Sequence, residues 1–141
     1  MTAKKDYKTI NLPPKYQPKK TEEYMSVEQK AFFYQLLIAE KKDLEQVLVD
    51  SSDDVNLGQR LDSVGAMDEG DAATLSIEAD MNIKIQERNK NILLQVENAL
   101  SRLEDGSYGY SVISGEEIGL KRLLSRPTAT MTAEEKDEME K

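Results

Sequence analysis

Ile77, Met81, Ile85, Ile92, Val96, Leu100 and Leu103 are separated by 4, 4, 7, 4, 4 and 3 residues, and so persistent a stripe leaves the chain few folds. Apolar side chains that recur at three and four residues share one face of an α-helix, whereas a half-buried strand alternates with period two. From Ile77 to Leu103 the pattern predicts about 40 Å of helix at roughly 1.5 Å per residue. A helix of that length with one apolar face needs a partner along it, and the preceding chain supplies one. Phe33, Leu37, Leu44, Val47 and Leu48 fall on one helical face, with Lys41, Lys42, Asp43 and Glu45 mostly elsewhere. Antiparallel packing of the two helices makes a coiled coil in which these apolar residues form the seam.

The first helix has a start signal in Ser26-Val27-Glu28-Gln29, a Ser-x-x-Gln capping box in which the hydroxyl and the Gln side chain each satisfy an orphan amide. Its end is open, because Ser51 to Gly70 carries Gly58, Gly65 and Gly70, while Val55, Leu61 and Val64 allow the helix to continue. Between the two helices lies an acidic turn, Met67-Asp68-Glu69-Gly70-Asp71-Ala72-Ala73. A hairpin holds Asp68 and Asp71 at its far end, where carboxylates are readily solvated and add little to folding. Contact with another molecule is their natural use.

A chain of 141 residues has room for one modest body and one extended element, and with 33% charged and 6% aromatic residues and no Trp its core should be thin. Nineteen Lys and Arg against 27 Asp and Glu give a net charge of -8, which disfavours unaided binding to a nucleic-acid backbone. A protein or cationic partner suits it better. Residues 1–20 reverse the sign, since Lys4, Lys5, Lys8, Lys15, Lys19 and Lys20 face only Asp6; a solvated tail is the ordinary reading. Pro13, Pro14 and Pro18 keep this part extended, making residues 1–25 an arm. Cys and His are both absent, which removes disulfides, thiol or imidazole chemistry and the usual nitrogen and sulfur ligands of zinc. No apolar run approaches the roughly 18 residues of a membrane span and no secretory signal opens the chain, so a cytoplasmic protein is expected.

After Asp105-Gly106, the stretch Ser107 to Gly115 combines aromatics with glycines and reads as a turn or short hairpin. Ser114-Gly115-Glu116-Glu117 can cap a short helix through about Leu124, which Pro127 ends; Thr132-Ala133-Glu134-Glu135 is another capping box, opening an acidic C-terminal helix that runs to or near Lys141. There is no internal repeat. The expected organisation is an arm over 1–25, a coiled-coil hairpin over 26–105 with its tip near 65–74, and a small globular domain with a C-terminal helix over 106–141. The fold class is mainly α.

The block Tyr108-Gly109-Tyr110-Ser111 through Arg126-Pro127-Thr128-Ala129 resembles the globular domain of the DksA/TraR transcription factors. The resemblance extends back through Leu103-Glu104-Asp105 to Asp68-x-x-Asp71-x-Ala73, the family's coiled-coil tip motif, includes Glu22-Glu23-Tyr24-Met25, and reaches forward to Lys136, covering nearly the whole chain. One departure stands out. Zinc-type members carry Cys-x-x-Cys twice, and here those positions are Ser111, Ser114, Thr132 and Glu135, a degenerate zinc-finger-like body. Hydroxyls are not ionised near neutral pH and a single carboxylate cannot close a tetrahedral site, so no structural zinc is expected. Val112 and Ile113, with Ile118, Leu123, Leu124 and Met131, are the expected replacement core, helped by the capping boxes at Ser114 and at Thr132 with Glu135.

What the resemblance implies is a monomer that binds bacterial RNA polymerase without sequence-specific DNA contact and inserts its coiled coil into the secondary channel. Asp68, Asp71 and Ala73 then approach the active centre, Asp71 foremost, and Arg88 matches a basic position that contacts the channel rim. Family members act with guanosine tetraphosphate, held between factor and polymerase. Arg126 and Lys136 match two basic positions of that site, Ile92 an apolar one, and Gln95 departs where Lys is usual, which implies a reduced alarmone response; ordinary surface pairing is the bland reading of Arg126 and Lys136. The implied output is destabilised open promoter complexes, repression of ribosomal RNA promoters and activation of some amino-acid biosynthetic ones, with no covalent chemistry and no structural cofactor. Two alternatives stay open: a Gre-like transcript cleavage factor, whose C-terminal β-rich domain has little room after Glu104, and a coiled-coil adaptor unrelated to polymerase, for which the acidic turn is merely solvated.

Overall fold

The structure, a computed structural model, describes residues 7–52 and 69–140. Among these residues lie helices α1 (Val27–Ser52), α2 (Glu69–Asp105), α3 (Leu120–Ser125) and α4 (Ala133–Met139), in the expected mainly α class. The stretch after α2 is a run of turns joined by one isolated antiparallel bridge, Tyr110 to Glu117, and no strand forms among the described residues. Asp68, Val55, Leu61 and Val64 lie outside the described residues.

Two compact units divide the chain: Met1–Glu40 with Gln95–Lys141, and Lys41–Leu94. The beginning of α1 shares a unit with the end of α2, and the end of α1 with the beginning of α2, so the long helices run antiparallel as a hairpin requires.

In the first of these units Phe33, Leu37, Val96, Leu103, Tyr108 and Leu123 are fully or almost fully buried. Each such side chain contributes about 1.5–3 kcal/mol relative to leaving it in water. Phe33 and Tyr108 meet at 5.7 Å between ring centroids, which ties α1 to the turns after α2. Those turns begin with a helix stop: Gly106 takes φ +87° and the Ser107 amide returns to the Arg102 carbonyl at 3.0 Å, a Schellman closure that favours glycine. Tyr108 then donates its hydroxyl to the Pro127 carbonyl at 2.7 Å.

The arm departs from its reading as a solvated tail. Over the described residues it lies packed: Tyr7 meets Tyr34 edge-on at 5.4 Å, Tyr16 approaches Phe32 at 6.1 Å, Pro18 is buried, and the Lys8 ammonium pairs with Glu104 at 3.0 Å. Its aromatic side chains bury apolar area, while its lysines keep their charged heads exposed, so the net positive charge does not detach it. The α1 cap is also shifted. Ser26 Oγ accepts from the Gln29 amide at 3.3 Å, but Gln29 Oε1 accepts from the Met25 amide at 2.8 Å, one residue before the position a capping box uses. Gln29 is fully buried and donates Nε2 to the Lys19 carbonyl at 3.2 Å, so one side chain caps the helix and anchors the arm.

The second unit revises the seam. Ile77, Met81 and Ile85 are 60%, 56% and 51% exposed, on the outer side of α2. Its shielded positions are instead Ala72, Leu75, Ala79, Asn82, Gln86, Asn89 and Leu93, a strict three–four heptad that continues into buried Val96, with Ile92 of the expected stripe half-buried beside it. On α1 the shielded residues of this unit are Lys41, Leu44 and Leu48, with Val47 turned out. Small alanines let two helices approach closely, and the central amides can bond within a seam. Hydropathy alone marks the larger stripe and misses a seam built from Ala, Asn and Gln.

Candidate functional site

Three sets of residues carry the functional expectations. The first is the start of α2. Asp71 stands in its first turn and is exposed, as is Ala73. Carboxylates at a helix N-terminus are favoured by the helix dipole, so Asp71 sits in this turn at little cost while presenting charge to solvent. Thr74 donates its hydroxyl to the Gly70 carbonyl at 3.0 Å and tightens the turn. Farther along α2, Arg88 is exposed and Ile92 half-buried, one turn before Gln95.

The second set surrounds a cavity of about 400 Å³ in the unit that holds the C-terminal body. Gln95, Arg126 and Lys136 line it together, although the sequence separates Gln95 from the others by the whole run of turns. Arg126 is the C-cap of α3, its amide bonded to the Arg122 carbonyl at 2.7 Å and its carbonyl accepting from the Ala129 amide at 3.0 Å. The Tyr108 hydroxyl on Pro127 fixes the next peptide, so the Arg-Pro-Thr-Ala segment is held from both sides. Lys136 reaches from α4 and is 3.8 Å from Glu140, a long and exposed pairing of little energetic weight.

Asn98, Arg102 and Arg122 also line this cavity, and the sequence reading missed them. Their signal was positional. Asn98 and Arg102 follow Gln95 by three and seven residues on one helical face, and Arg122 precedes Arg126 by four. Burial lowers the Arg102 guanidinium from its ordinary value, with Tyr108 and Asp105 opposing that shift. The Asp105 carboxylate is itself engaged by the Ser107 amide at 2.8 Å.

The third set is the former ligand quartet, which the fold still brings together. Ser111 is buried and its Oγ accepts from the amides of Ile113 and Ser114 at 3.0 and 3.2 Å. Thr132 and Glu135 form the full capping box of α4, with Glu135 Oε1 accepting from the Thr132 amide at 2.9 Å and Thr132 Oγ1 from the Glu135 amide at 3.1 Å. The Ser111 hydroxyl, the Thr132 amide and the Ser114 hydroxyl hold the Glu135 carboxyl down at about 2. This quartet does not suit a metal. Its one carboxylate already caps a helix, and no group of three or more His, Cys, Asp or Glu able to hold a metal ion occurs among the described residues.

Two expectations about this body fail. Val112 and Ile113 are 63% and 60% exposed and Leu124 is also exposed, so of the expected replacement core only Ile118 and Leu123 are buried and Met131 is half-buried. Ser114 caps no helix: its Oγ accepts from the Glu116 amide at 3.3 Å, while α3 begins after Gly119 with no side-chain cap. Polar bonds converging on Glu135, rather than an apolar plug, occupy the quartet.

No family model matches the chain. The RNA polymerase-binding transcription factor DksA of Caulobacter vibrioides is 35% identical over 126 residues, covering 89% of this chain and 86% of its own length. Its namesake in Haemophilus influenzae is 34% identical over 116 residues, covering 82% of this chain and 77% of its own. Among solved structures, transcription factor DksA2 from Pseudomonas aeruginosa superposes with a TM-score of 0.71 at 34% identity, over 83% of this chain and 87% of that one. Agreement of sequence and fold over more than four-fifths of its length means that the chain belongs to the DksA family, as a member without a single cysteine.

Proposed function

We propose that this chain is a non-enzymatic transcription factor that binds bacterial RNA polymerase and works from the secondary channel. The carrying observation is that relatives aligned over 82% and 89% of this chain bear RNA polymerase binding in their names. In this reading Asp71, with Asp68 and Ala73, acts at the polymerase active centre, and Arg88 contacts the channel rim. The exposed carboxylate of Asp71 in the first turn of α2 supports that role. Binding destabilises open promoter complexes, represses ribosomal RNA promoters and activates some biosynthetic ones.

Guanosine tetraphosphate is the proposed co-regulator at the polymerase interface, and the grouping of Gln95, Arg126 and Lys136 around one cavity supports it. Gln95 supplies an amide where a cation would strengthen phosphate binding, so the response to the alarmone is reduced. A cleavage-factor activity has less support, because no strand of the β-rich domain it needs occurs among the described residues.

The test is multi-round transcription from a ribosomal RNA promoter with purified polymerase, with chelator present throughout. The parent protein represses and Asp71→Asn does not, while both bind polymerase and keep their helicity. Repression by both proteins alike, or by neither, refutes the role given to Asp71.

A further inference from the structure

Helix α2 carries two apolar faces. One is the shielded seam through Leu75, Ala79, Asn82 and Gln86, and the other is the run of Ile77, Met81 and Ile85, each more than half open to solvent. At about 100° per residue the centres of these faces lie roughly 120° apart around the helix, so a partner that covers the first cannot also cover the second. Three large side chains four residues apart make one contiguous strip, unlike apolar residues scattered singly over a surface.

Charge decides what suits this strip. Between Ile77 and Ile92, Glu78, Asp80 and Glu87 are matched by Lys84, Arg88 and Lys90, so a segment of zero net charge lies within a chain of -8, and all six side chains are exposed. A strongly acidic or basic partner gains nothing from a neutral strip, whereas an identical strip brings both signs. With Met81 on a twofold axis and two α2 helices antiparallel, Ile77 of one copy stands opposite Ile85 of the other, and Thr74 opposite Arg88. On the flank of the strip Lys84 then lies about 3 Å along the helix axis from Asp80 of the second copy, at roughly 1.5 Å per residue. It also leans toward that carboxylate, because helical side chains tilt toward their own N-terminus. The twofold axis repeats the pair.

We propose that the strip of Ile77, Met81 and Ile85 is a self-association surface whose partner is a second copy of this chain, docked antiparallel about Met81. Such an interface is isologous, each copy offering the same patch. Methionine suits the crossing point, since its unbranched thioether adapts to an identical neighbour. A contact of about 21 Å, from Thr74 to Arg88 on one helix of each copy, falls short of the roughly 1,200–2,000 Å² of stable interfaces, so the dimer is weak and reversible. Because Arg88 lies at the end of the strip, the dimer covers the residue assigned above to the channel rim and competes with polymerase. That consequence rests on the polymerase reading; the self-association does not.

Sedimentation equilibrium of the isolated full-length chain, from about 1 μM to about 1 mM, tests this without polymerase. The apparent mass of the parent rises from 15.9 kDa toward twice that value. Met81→Glu and Met81→Lys each stay monomeric, because like charges meet at the axis, and an equimolar mixture of the two recovers the rise. The absence of Cys allows a second readout. Under mild oxidation Met81→Cys cross-links to itself, and Ile77→Cys cross-links with Ile85→Cys in a mixture but neither does so alone. Ile83→Cys, 55% exposed on the opposite side of α2, does not cross-link. Helicity of each variant is read in parallel, and every changed side chain is exposed. A parent that stays at 15.9 kDa throughout, or a mixture of the two Met81 variants that stays monomeric, overturns the second copy as partner. Cross-linking of Ile83→Cys as readily as Met81→Cys overturns the surface. A monomeric parent whose Met81→Glu variant no longer binds purified polymerase gives the strip to polymerase instead, while the repression assay judges the role of Asp71 separately.

Discussion

The Ser111 hydroxyl is the foremost influence that holds the Glu135 carboxyl below its ordinary value, linking the turns after α2 to the first turn of α4. Both occupy positions that the family resemblance assigns to zinc-binding thiolates, and a neutral group beside an anion stands where two anions would be paired through a cation. Ser111 Oγ still gathers the amides of Ile113 and Ser114, so the loop retains an acceptor at its centre. The turn keeps its shape because one hydroxyl oxygen can accept both amides at once.

Acid should therefore undo this junction. Glu135 titrates at about 2 in the folded chain against an ordinary value of 4.5, so its charged form is the one the fold favours. Stability from it is fully present above about pH 4.5 and is lost as pH falls toward about 2. Glu22 and Asp105 are lowered as well and contribute in the same direction, so the comparison needs a variant. Denaturant curves of the parent and Glu135→Gln should differ by a constant amount near neutrality and converge in that acid window. Parallel curves down to the acid limit exclude a keystone role for Glu135.

Metal removal should do nothing. Zinc-finger peptides draw about 10–16 kcal/mol of folding free energy from their metal, so a retained ion could not be stripped silently. Here Glu135 is committed to a cap and three hydroxyls complete the quartet. Thermal unfolding followed by helicity should give the same midpoint in excess chelator, in buffer and with added zinc. A lower midpoint in chelator would show that a metal is bound after all.

Legibility in the sequence followed the physics of each feature. The two long helices, the Thr132 box and the stop at Gly106 rest on local periodicity and capping, which a linear reading captures. The seam did not, because hydropathy ranks Ile77, Met81 and Ile85 above Ala79, Asn82 and Gln86, while the close approach of two helices rewards small and hydrogen-bonding side chains. Gln95, Arg126 and Lys136 came only with the family resemblance, and the structure joined them. Arg102 and Arg122 belonged to patterns that spacing alone made visible, but nothing local says that two surface-type arginines lose their water in a cavity shared by three helices.

The polar seam should be a cost in stability. An Asn at a core heptad position fixes register and weakens the coiled coil relative to an apolar residue. Asn82→Leu combined with Asn89→Leu should raise the denaturation midpoint, whereas Ile85→Glu on the exposed side should change stability by no more than about 0.5 kcal/mol. A large loss in Ile85→Glu, with no gain in the double variant, would restore the Ile77, Met81 and Ile85 stripe as the seam.

Gly109 is the tightest point of the body. Its φ of +91° lies where side chains are strained, and a Cβ there would stand 2.9 Å from Met25 Cγ and 3.1 Å from the Tyr24 hydroxyl oxygen. That hydroxyl donates to the Gly109 carbonyl at 2.6 Å and accepts the Gly119 amide at 3.0 Å, so it cannot retreat without breaking two bonds. Gly109→Ala should therefore cost more than the about 1–3 kcal/mol of a strained backbone alone. Tyr24→Phe, which leaves the Gly119 amide and the Gly109 carbonyl without this partner, should cost about 1–3 kcal/mol. Urea unfolding of both single variants and the double variant measures the coupling. In the double variant the hydroxyl no longer opposes the new methyl group, so its loss should be smaller than the sum of the two; strict additivity would mean that the Tyr24 hydroxyl does not oppose a side chain there, leaving the backbone angle and Met25 as the obstacles.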